Sequence, residues 1–251
     1  MPYASCLILE DGEVEARKLQ LQPRLACLAD CVPRGARLAD VGTDHGYLPV
    51  MLLQRGLIQS AIASDINEEP LSHARRTAAE YGVTEGIEFR LCSGLSAIGA
   101  DEVDTVVIAG MGGEMIINIL STAPWELKSN ITLLMQPMTK PEILRAWLVT
   151  NGYKITRERL VRDKGVLYAV IIATAGESAA ISMAQAYCGV ETVHDPLYGE
   201  YVDERIAKLS RAADGLRRSN RPDAPERIAE LEAVIAELRE RKGEWKHDNG
   251  I

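Results

Sequence analysis

The sequence of residues 38–49 is LADVGTDHGYLP. An apolar run that starts at Ala36 leads into it, glycines stand at Gly42 and Gly46, and apolar residues resume at Tyr47. A buried strand that ends at a glycine turn and continues directly into a helix has this pattern. The stretch therefore predicts the first strand-to-helix turn of an α/β domain, the place where such domains bind nucleotides.

The segments around this turn alternate between strand and helix patterns. Predicted strands cover Ala36–Val41, Ala61–Ser64, Ile87–Leu91, Val103–Ala109 and Ile131–Met135. Predicted helices cover Leu19–Cys31, Leu48–Gln54, Glu69–Tyr81, Glu114–Leu120 and Pro141–Asn151. Alternation of this kind predicts a parallel sheet with right-handed crossover connections.

After Gly152 the pattern changes to two adjacent strands. They cover Tyr153–Val161 and Val166–Ala173, with turn residues Asp163–Gly165 between them. An antiparallel pair at the end of an otherwise parallel sheet distinguishes the Rossmann-like class I methyltransferase fold from six-stranded dinucleotide-binding folds. We therefore expect a mostly parallel seven-stranded sheet of that α/β class.

Beyond Gly176 two helices with coiled-coil spacing are predicted. Apolar residues recur at spacings of three and four from Val202 to Leu216 and again from Ile228 to Leu238. Residues 221–225 separate the helices, and Asp223 and Glu226 have the spacing of a capping pair. The predicted organisation is an N-terminal extension at 1–17, a cofactor-binding domain at 18–176 and a C-terminal helical hairpin of coiled-coil type at 177–251.

Composition excludes several classes of protein. Hydrophobic residues make up 47% of the 251 residues and charged residues 25%, as in globular proteins. The apolar stretch Cys6–Leu9 is followed at once by acidic residues, so we expect no signal peptide, no membrane span and a cytoplasmic location. A net charge of −8 means that a nucleic-acid partner would need a local basic patch. Five scattered cysteines predict no disulfide framework, and Cys27 and Cys31 lack a second ligand pair, so no metal site is expected.

Acidic residues in the first turn indicate which nucleotide it binds. Asp40 precedes Gly42, and Asp44 stands before Gly46, whereas a dinucleotide-binding turn has the spacing G-x-G-x-x-G. Carboxylates repel a pyrophosphate, but they suit a nucleoside that carries an ammonium and a sulfonium charge. We therefore expect Asp40, Gly42 and Gly46 to bind S-adenosylmethionine, although an ordinary glycine turn would contain the same residues.

The later strand ends supply further candidates for the cofactor site. Asp65 closes the second strand, where a carboxylate accepts both ribose hydroxyls, and Ile66 follows it. Capping of the next helix is the alternative role of Asp65. The remaining candidates follow the third and fourth strands and are Ser93, Gly94, Gly110, Met111 and Gly112.

Together these segments resemble the bacterial tRNA (adenine-22-N1)-methyltransferases. The resemblance runs from about Leu19 to Ala175. Its motifs are Asp40–Pro49, Gly110–Gly113, Gln136–Pro137, Leu144–Leu148 and Asn151–Tyr153. The family often has an acidic residue where Ser93 stands and Asn where Met138 stands, so this chain departs from the pattern at those two positions.

The resemblance implies transfer of a methyl group from S-adenosylmethionine to N1 of adenine 22 in the D-arm of tRNA. Neutral adenine N1 already has a lone pair, so the reaction needs alignment more than a strong base. The candidates for the catalytic rim are Asp44, His45 and Tyr47, which also suit cofactor contacts or packing. An NAD-dependent oxidoreductase and a non-catalytic RNA-binding scaffold stay open as alternatives.

Two groups of cations are available to hold tRNA. The hairpin group is Arg205, Lys208, Arg211, Arg217, Arg218 and Arg221, and the N-terminal group is Arg17, Lys18, Arg24, Arg34 and Arg37. We expect Arg24, Arg217 and Arg218 to bind the substrate, with Gln136 at the rim of the pocket. Solvated helices carry such cations in any case. The expected assembly state is a monomer or a weak homodimer.

Overall fold

One sheet of seven strands organises the chain. The computed structural model describes residues 18–123 and 131–250. The strands are β1 Ala36–Val41, β2 Ile58–Asp65, β3 Ile87–Leu91, β4 Thr105–Gly112, β5 Thr132–Thr139, β6 Tyr153–Asp163 and β7 Val166–Ala175. Their order across the sheet is β3-β2-β1-β4-β5-β7-β6, and only the pairings of β7 with β5 and β6 are antiparallel. The predicted Rossmann-like methyltransferase sheet is therefore confirmed.

Eight α-helices and one short 3-10 helix flank the sheet or follow it within the described ranges. They are α1 Pro23–Ala29, α2 Tyr47–Gln54, α3 Glu68–Glu80, α4 Gly113–Ser121, α5 Pro141–Thr150, α6 Met183–Cys188, the 3-10 turn Thr192–His194, α7 Tyr198–Arg217 and α8 Ala224–Asp248. Across residues 18–123 and 131–250, no helix combines the length and apolarity that crossing a bilayer requires. The predicted N-terminal extension lies outside the described residues.

The central strands are buried on both faces. Val106 and Ile108 of β4 pack into one hydrophobic cluster, while Val107 packs into a second cluster on the other face. Strand β5 repeats the alternation at Leu133 and Leu134. Helices therefore cover both sides of the sheet, as the continuous apolar runs predicted.

Three local predictions were wrong. Helix α1 begins at Pro23 rather than Leu19, because proline restricts the residue before it to extended backbone and Gln22 has φ −63° and ψ 155°. Residues 92–104, between β3 and β4, form turns, so the inferred alternation of strand and helix is interrupted there. Asp223 precedes α8 without a side-chain capping bond, because its carboxylate binds Arg221 and Arg227 instead.

Helices α7 and α8 form the C-terminal hairpin. Ion pairs join Arg217 to Glu232 and Asp203 to Lys242, so the two helices run antiparallel. Their facing side chains form a third hydrophobic cluster, which includes Val202, Leu209, Ile235 and Leu238. The hairpin therefore has a small core of its own, while its coiled-coil character stays a prediction.

A buried ion pair attaches the base of the hairpin to the sheet. Arg145 of α5 and Glu158 of β6 lie 2.7 Å apart with both side chains fully buried. Arg145 also donates to the carbonyl of Ala186 at 2.8 Å, and Glu158 accepts from the amides of Val190 and Glu191 at 2.6 and 3.0 Å. These contacts join residues on both sides of Gly176, the predicted boundary between the cofactor-binding domain and the hairpin. That boundary stays a prediction.

Candidate functional site

A cavity of about 830 Å³ opens at the carboxyl ends of β1, β4 and β5. Its position is the crevice where α/β sheets bind ligands, and its volume is in the range of small-molecule sites. The wall residues are Leu19–Gln22, Arg24, Leu25, Asp40, Gly42–Leu48, Tyr81, Ala109–Met111 and Gln136.

Backbone geometry makes both glycines of the first turn necessary. Gly42 has φ +76°, and a Cβ there would lie 2.0 Å from the terminal methyl carbon of Met111. Gly46 has φ +65°, and a Cβ there would lie 2.9 Å from the Cβ of Ala74. A side chain at either position would therefore be strained. At Gly46 it would also clash with Ala74, whereas at Gly42 the flexible end of Met111 would have to move.

Hydrogen bonds occupy two amides at the start of the turn. The amides of Gly42 and Thr43 both donate to the carbonyl of Ser64, at 2.8 and 2.9 Å. A phosphate-binding turn leaves such amides free to point at its anion. The start of this turn is therefore less suited to a pyrophosphate than a dinucleotide fingerprint would be.

Asp40 places a buried carboxylate in the pocket wall without a protein cation. The residue is 8% exposed, and among the described residues none forms an ion pair with it. Burial raises the pKa of Asp40 from 3.8 to about 6, and the hydroxyl of Thr43 offsets part of that shift. A buried carboxylate is stabilised when a cation binds beside it, so Asp40 suits a positively charged ligand.

The three predicted rim residues lie together in the pocket wall. Asp44 is 78% exposed, and its carboxylate lies 3.4 Å from the imidazole of His45. The His45 ring stacks on Tyr47 at 5.1 Å and on His73 at 4.9 Å between centroids. The stack therefore fixes His45 and Tyr47 at the opening of the pocket.

The ligand atoms of Asp44, His45 and His73 all lie within 4.8 Å of one another, a spacing that a metal ion needs. The two imidazole rings, however, are stacked with only 7° between their planes. A metal ion lies in the plane of each imidazole that binds it, and two stacked parallel planes share no such point. One ring would have to rotate before both could bind the same ion. The expectation that the protein has no metal site stays a prediction.

The ends of β2 and β3 present the remaining cofactor candidates. Asp65 accepts a hydrogen bond from the amide of Asn67 at 2.8 Å, which closes a local turn before α3. The first turn of α3 has no side-chain cap, so Asp65 does not cap that helix. Ile66 and Leu91 are 65% and 57% exposed at neighbouring strand ends, where an apolar ring would cover them. Ser93 is exposed, and Gly94 after it has φ +56°. These residues lie beside the cavity rather than in its wall.

The glycine-rich end of β4 forms part of the pocket wall. The pairing of β4 with β5 shifts register at Gly110, which has φ +76° and is left out of the ladder. This bulge places Met111 beside Gly42 across the pocket. Gly112 follows as the residue before α4 and is not part of the cavity wall.

The opposite wall holds a hydrogen-bonded cluster around Arg24. Its guanidinium donates to the fully buried Gln136 at 3.0 Å and to Asp163 at 2.8 Å. The same group lies 5.2 Å from the centre of the Tyr168 ring and 3.1 Å from the sulfur of Met138. Arg24 and Gln136, both predicted to bind substrate, are therefore brought together and already satisfied.

The other two predicted substrate residues lie elsewhere. Arg217 and Arg218 end α7, and Arg217 pairs with Asp214 and Glu232. Tyr201, near the start of α7, packs into the core of the sheet. At 1.5 Å per residue, Arg217 lies about 24 Å farther along the helix axis. The sites of Arg24 and Arg217 are thus separate.

Sequence reasoning missed several residues of the site. Residues 19–22 line the pocket without regular secondary structure, and Pro23 was the indication that the helix begins only after them. His73 lies on α3, 28 positions after the ring on which it stacks, and no spacing rule connects the two. Leu91 was foreseen as the end of a strand but not as an exposed surface.

Comparisons with known proteins agree with this geometry. A family model described as a methyltransferase domain matches residues 21–171. The tRNA (adenine(22)-N(1))-methyltransferase of Bacillus subtilis is 33% identical over 185 residues, which cover 74% of this chain and 76% of that protein.

Solved structures agree in fold over most of the chain. The crystal structure of the B. subtilis m1A22 tRNA methyltransferase has a TM-score of 0.80 at 26% identity, over 89% of this chain and 99% of that one. A Mycoplasma capricolum relative in complex with S-adenosyl-homocysteine has a TM-score of 0.75 at 26% identity, over 89% of this chain and 98% of that one. With the pocket at the ends of β1, β4 and β5, these matches show that the chain belongs to the tRNA (adenine-22-N1)-methyltransferase family.

Proposed function

We propose that this protein methylates N1 of adenine 22 in tRNA, with S-adenosylmethionine as the methyl donor. The observation that carries the proposal is the buried Asp40 carboxylate, which lies in the pocket without a protein cation. Family membership supports tRNA as the substrate and adenine 22 as the target base.

The donor set of the pocket suits S-adenosylmethionine. Asp40 and Asp44 offer negative charge to its ammonium and sulfonium groups, and Gly110 and Met111 border the same space. In this proposal Asp65 accepts the ribose hydroxyls, and the exposed Ile66 and Leu91 offer apolar contact to the adenine ring. Ser93 supplies a hydroxyl where relatives often have a carboxylate, so its bond to the adenine amino group is the weaker kind.

The bound cofactor supplies an electrophilic methyl group on a sulfonium. Adenine N1 needs no deprotonation before it attacks, so the task of the protein is to align the base and exclude water. His45 and Tyr47 form a stack at the pocket opening, on which a base turned out of the tRNA can rest. The Asp44 carboxylate next to them favours the positive charge that the methylated ring acquires.

Methylation of defined transcripts tests this proposal. Purified protein, radiolabelled S-adenosylmethionine and an unmodified tRNA transcript with adenine at position 22 should give one labelled product, identified as 1-methyladenosine by mass spectrometry. A transcript with guanine at position 22 is the matched control and should stay unlabelled. Equal labelling of both transcripts would contradict the assigned base.

The same assay separates enzyme from scaffold. A non-catalytic RNA-binding scaffold would bind the transcript but leave it unlabelled at every protein concentration. Tyr47→Ala should lower turnover far more than it changes cofactor affinity if Tyr47 holds the base, because binding and alignment are then separate. The cytoplasmic location and the monomer or weak homodimer state stay predictions.

A further inference from the structure

A small basic groove lies next to the cofactor pocket. Its volume is about 140 Å³, and it runs between the end of β5 and the base of the hairpin. The residues that line it are Pro137–Pro141, Val166–Ala169, Tyr201, Arg205 and Lys208. We refer to these residues as the β5 groove.

The β5 groove and the cofactor pocket share a wall. Gln136 lines the pocket, and the next residue of the strand, Pro137, already lines the groove. Arg24 reaches the groove side as well, because it contacts the sulfur of Met138 and the ring of Tyr168. A nucleotide whose base entered the pocket would therefore have its neighbouring backbone within reach of the groove.

Three cations line the β5 groove, two from α7 and one from the residue between β5 and α5. Lys208 of α7 is exposed, and within the described residues it forms no ion pair. Arg205, one turn earlier, stacks on Tyr201 at 4.6 Å and has only a long 3.4 Å contact with Glu204. Lys140 pairs with Glu114 at 2.6 Å, but both side chains are solvent-exposed, so that pair is weak.

Backbone conformation fixes Lys140 at this place. It has φ +54° and ψ +46°, a left-handed conformation that is costly for a residue with a side chain. Its carbonyl presses against Gly113, where a Cβ would lie 2.4 Å away. Lys140 also directly precedes α5, whose first turn carries Glu142, so the helix end adds little positive charge and the basic character of the groove comes from its side chains.

At the tip of the hairpin, in contrast to the β5 groove, two arginines are already paired with carboxylates. Arg217 is shared by Asp214 and Glu232, and Arg221 binds the carboxylate of Asp223 through two nitrogens. Cations that are already paired gain less from a phosphate, because a bond to a carboxylate must first be given up. Arg218 is an exposed cation of the tip without such a pair, whereas the base of the hairpin brings Arg205 and Lys208 together with Lys140 in one groove. The base of the hairpin is therefore a better phosphate site than its tip.

We propose that the β5 groove binds a phosphodiester of the tRNA strand next to the target nucleotide, with Lys208 and Arg205 as its main ligands. This inference rests on the proposed function, since it places the backbone of the same substrate. The sequence led us to expect Arg217 and Arg218 to bind the substrate. The proposal instead assigns the phosphate contact to the part of α7 that is attached to the sheet.

Salt-dependent tRNA binding by the full-length protein tests the groove. Lys208→Ala should weaken binding of an unmodified transcript roughly fivefold at 0.15 M salt and reduce the slope of log K against log salt by about one. Affinity for S-adenosylmethionine should stay unchanged, which shows that the variant is folded. Lys208→Arg keeps the charge and should retain the affinity of the natural protein.

Arg218→Ala is the matched control. Arg218 is an exposed cation at the end of the same helix, has no ion pair within the described residues, and lies about 15 Å farther along its axis than Lys208. Its removal should change both affinity and slope less than Lys208→Ala does. An equal loss in both variants, an unchanged slope in Lys208→Ala, or a loss in Lys208→Arg would overturn the groove assignment. Failure of the natural protein to methylate tRNA would instead defeat the proposed function, and RNA binding would still report on the groove.

Discussion

The two walls of the cofactor pocket differ in whether their charged side chains have protein partners. On the β1 side, Asp40 is buried and has no cationic partner among the described residues. On the β5 side, Arg24 is bound to both Gln136 and Asp163. An unpaired buried charge costs stability until a ligand arrives, whereas a paired one already contributes to the fold. The first wall is therefore built for binding and the second mainly for structure.

The largest effect is expected from Asp40→Asn. The substitution keeps the shape of the side chain but removes the charge, so affinity for S-adenosylmethionine should fall by roughly 3 kcal/mol, on the order of a hundredfold. Stability of the ligand-free protein should stay equal or rise, because a poorly solvated carboxylate is gone. Calorimetry and thermal melts measure the two quantities. If the variant lost stability but bound S-adenosylmethionine normally, Asp40 would serve the fold rather than the ligand. The comparison between the two walls would then be wrong.

Arg24→Ala should act in the opposite sense. Gln136 and Asp163 are both buried, so their lost partner should lower the free energy of unfolding by about 2 kcal/mol. Affinity for the cofactor should change much less. Arg34→Ala removes an exposed arginine of the same region and serves as the control in denaturant titrations. Equal stability of the two variants would mean that the Arg24 cluster contributes nothing to the fold.

Asp65→Ala removes a carboxylate that is less buried than that of Asp40. Asp65 has one backbone donor, Asn67, and is only partly buried. Loss of its bonds to the ribose should weaken cofactor binding by roughly 1–2 kcal/mol, less than Asp40→Asn. An unchanged dissociation constant in a folded variant would reduce Asp65 to a local turn residue.

The pH dependence of binding should follow Asp40. Its pKa of about 6 in the ligand-free protein lies above the ordinary value of 3.8. The folded state therefore holds more protons than the unfolded state between these values, and Asp40 destabilises the protein progressively as pH rises through that window. A cationic ligand needs the ionised form, so its affinity should fall up to tenfold per pH unit below 6. Asp40→Asn should flatten this profile, and a natural protein with the same affinity at pH 5 and 7 would contradict the role of Asp40.

The unpaired wall was predictable from sequence, and the paired wall largely was not. Asp40, Gly42 and Gly46 lie within seven residues, so one local motif describes their turn and its ligand preference. Arg24 and Gln136 are 112 positions apart, and their contact depends on how α1 packs against β6 and β7. Both residues were expected at the substrate rim, but nothing local indicated that they satisfy each other.

The same distinction applies to the fold. Continuous apolar runs predicted the central strands because these are buried on both faces. The hairpin helices followed from their spacing of three and four, but their attachment did not. Arg145, Glu158 and the amides after Gly189 come from three separate segments, so no periodic pattern places them together.

The Arg145–Glu158 ion pair also has a consequence for the order of folding. Glu158 must acquire the amides of Val190 and Glu191, more than thirty positions along the chain, before its charge is fully compensated. We therefore expect edge strand β6 to complete its packing only after the segment following α6 has docked, which is a non-local step. Hydrogen exchange at Val190 and Glu191 should accordingly be as slow as in the central strands and slower than at the tip of the hairpin, because those two amides open only when the sheet itself does.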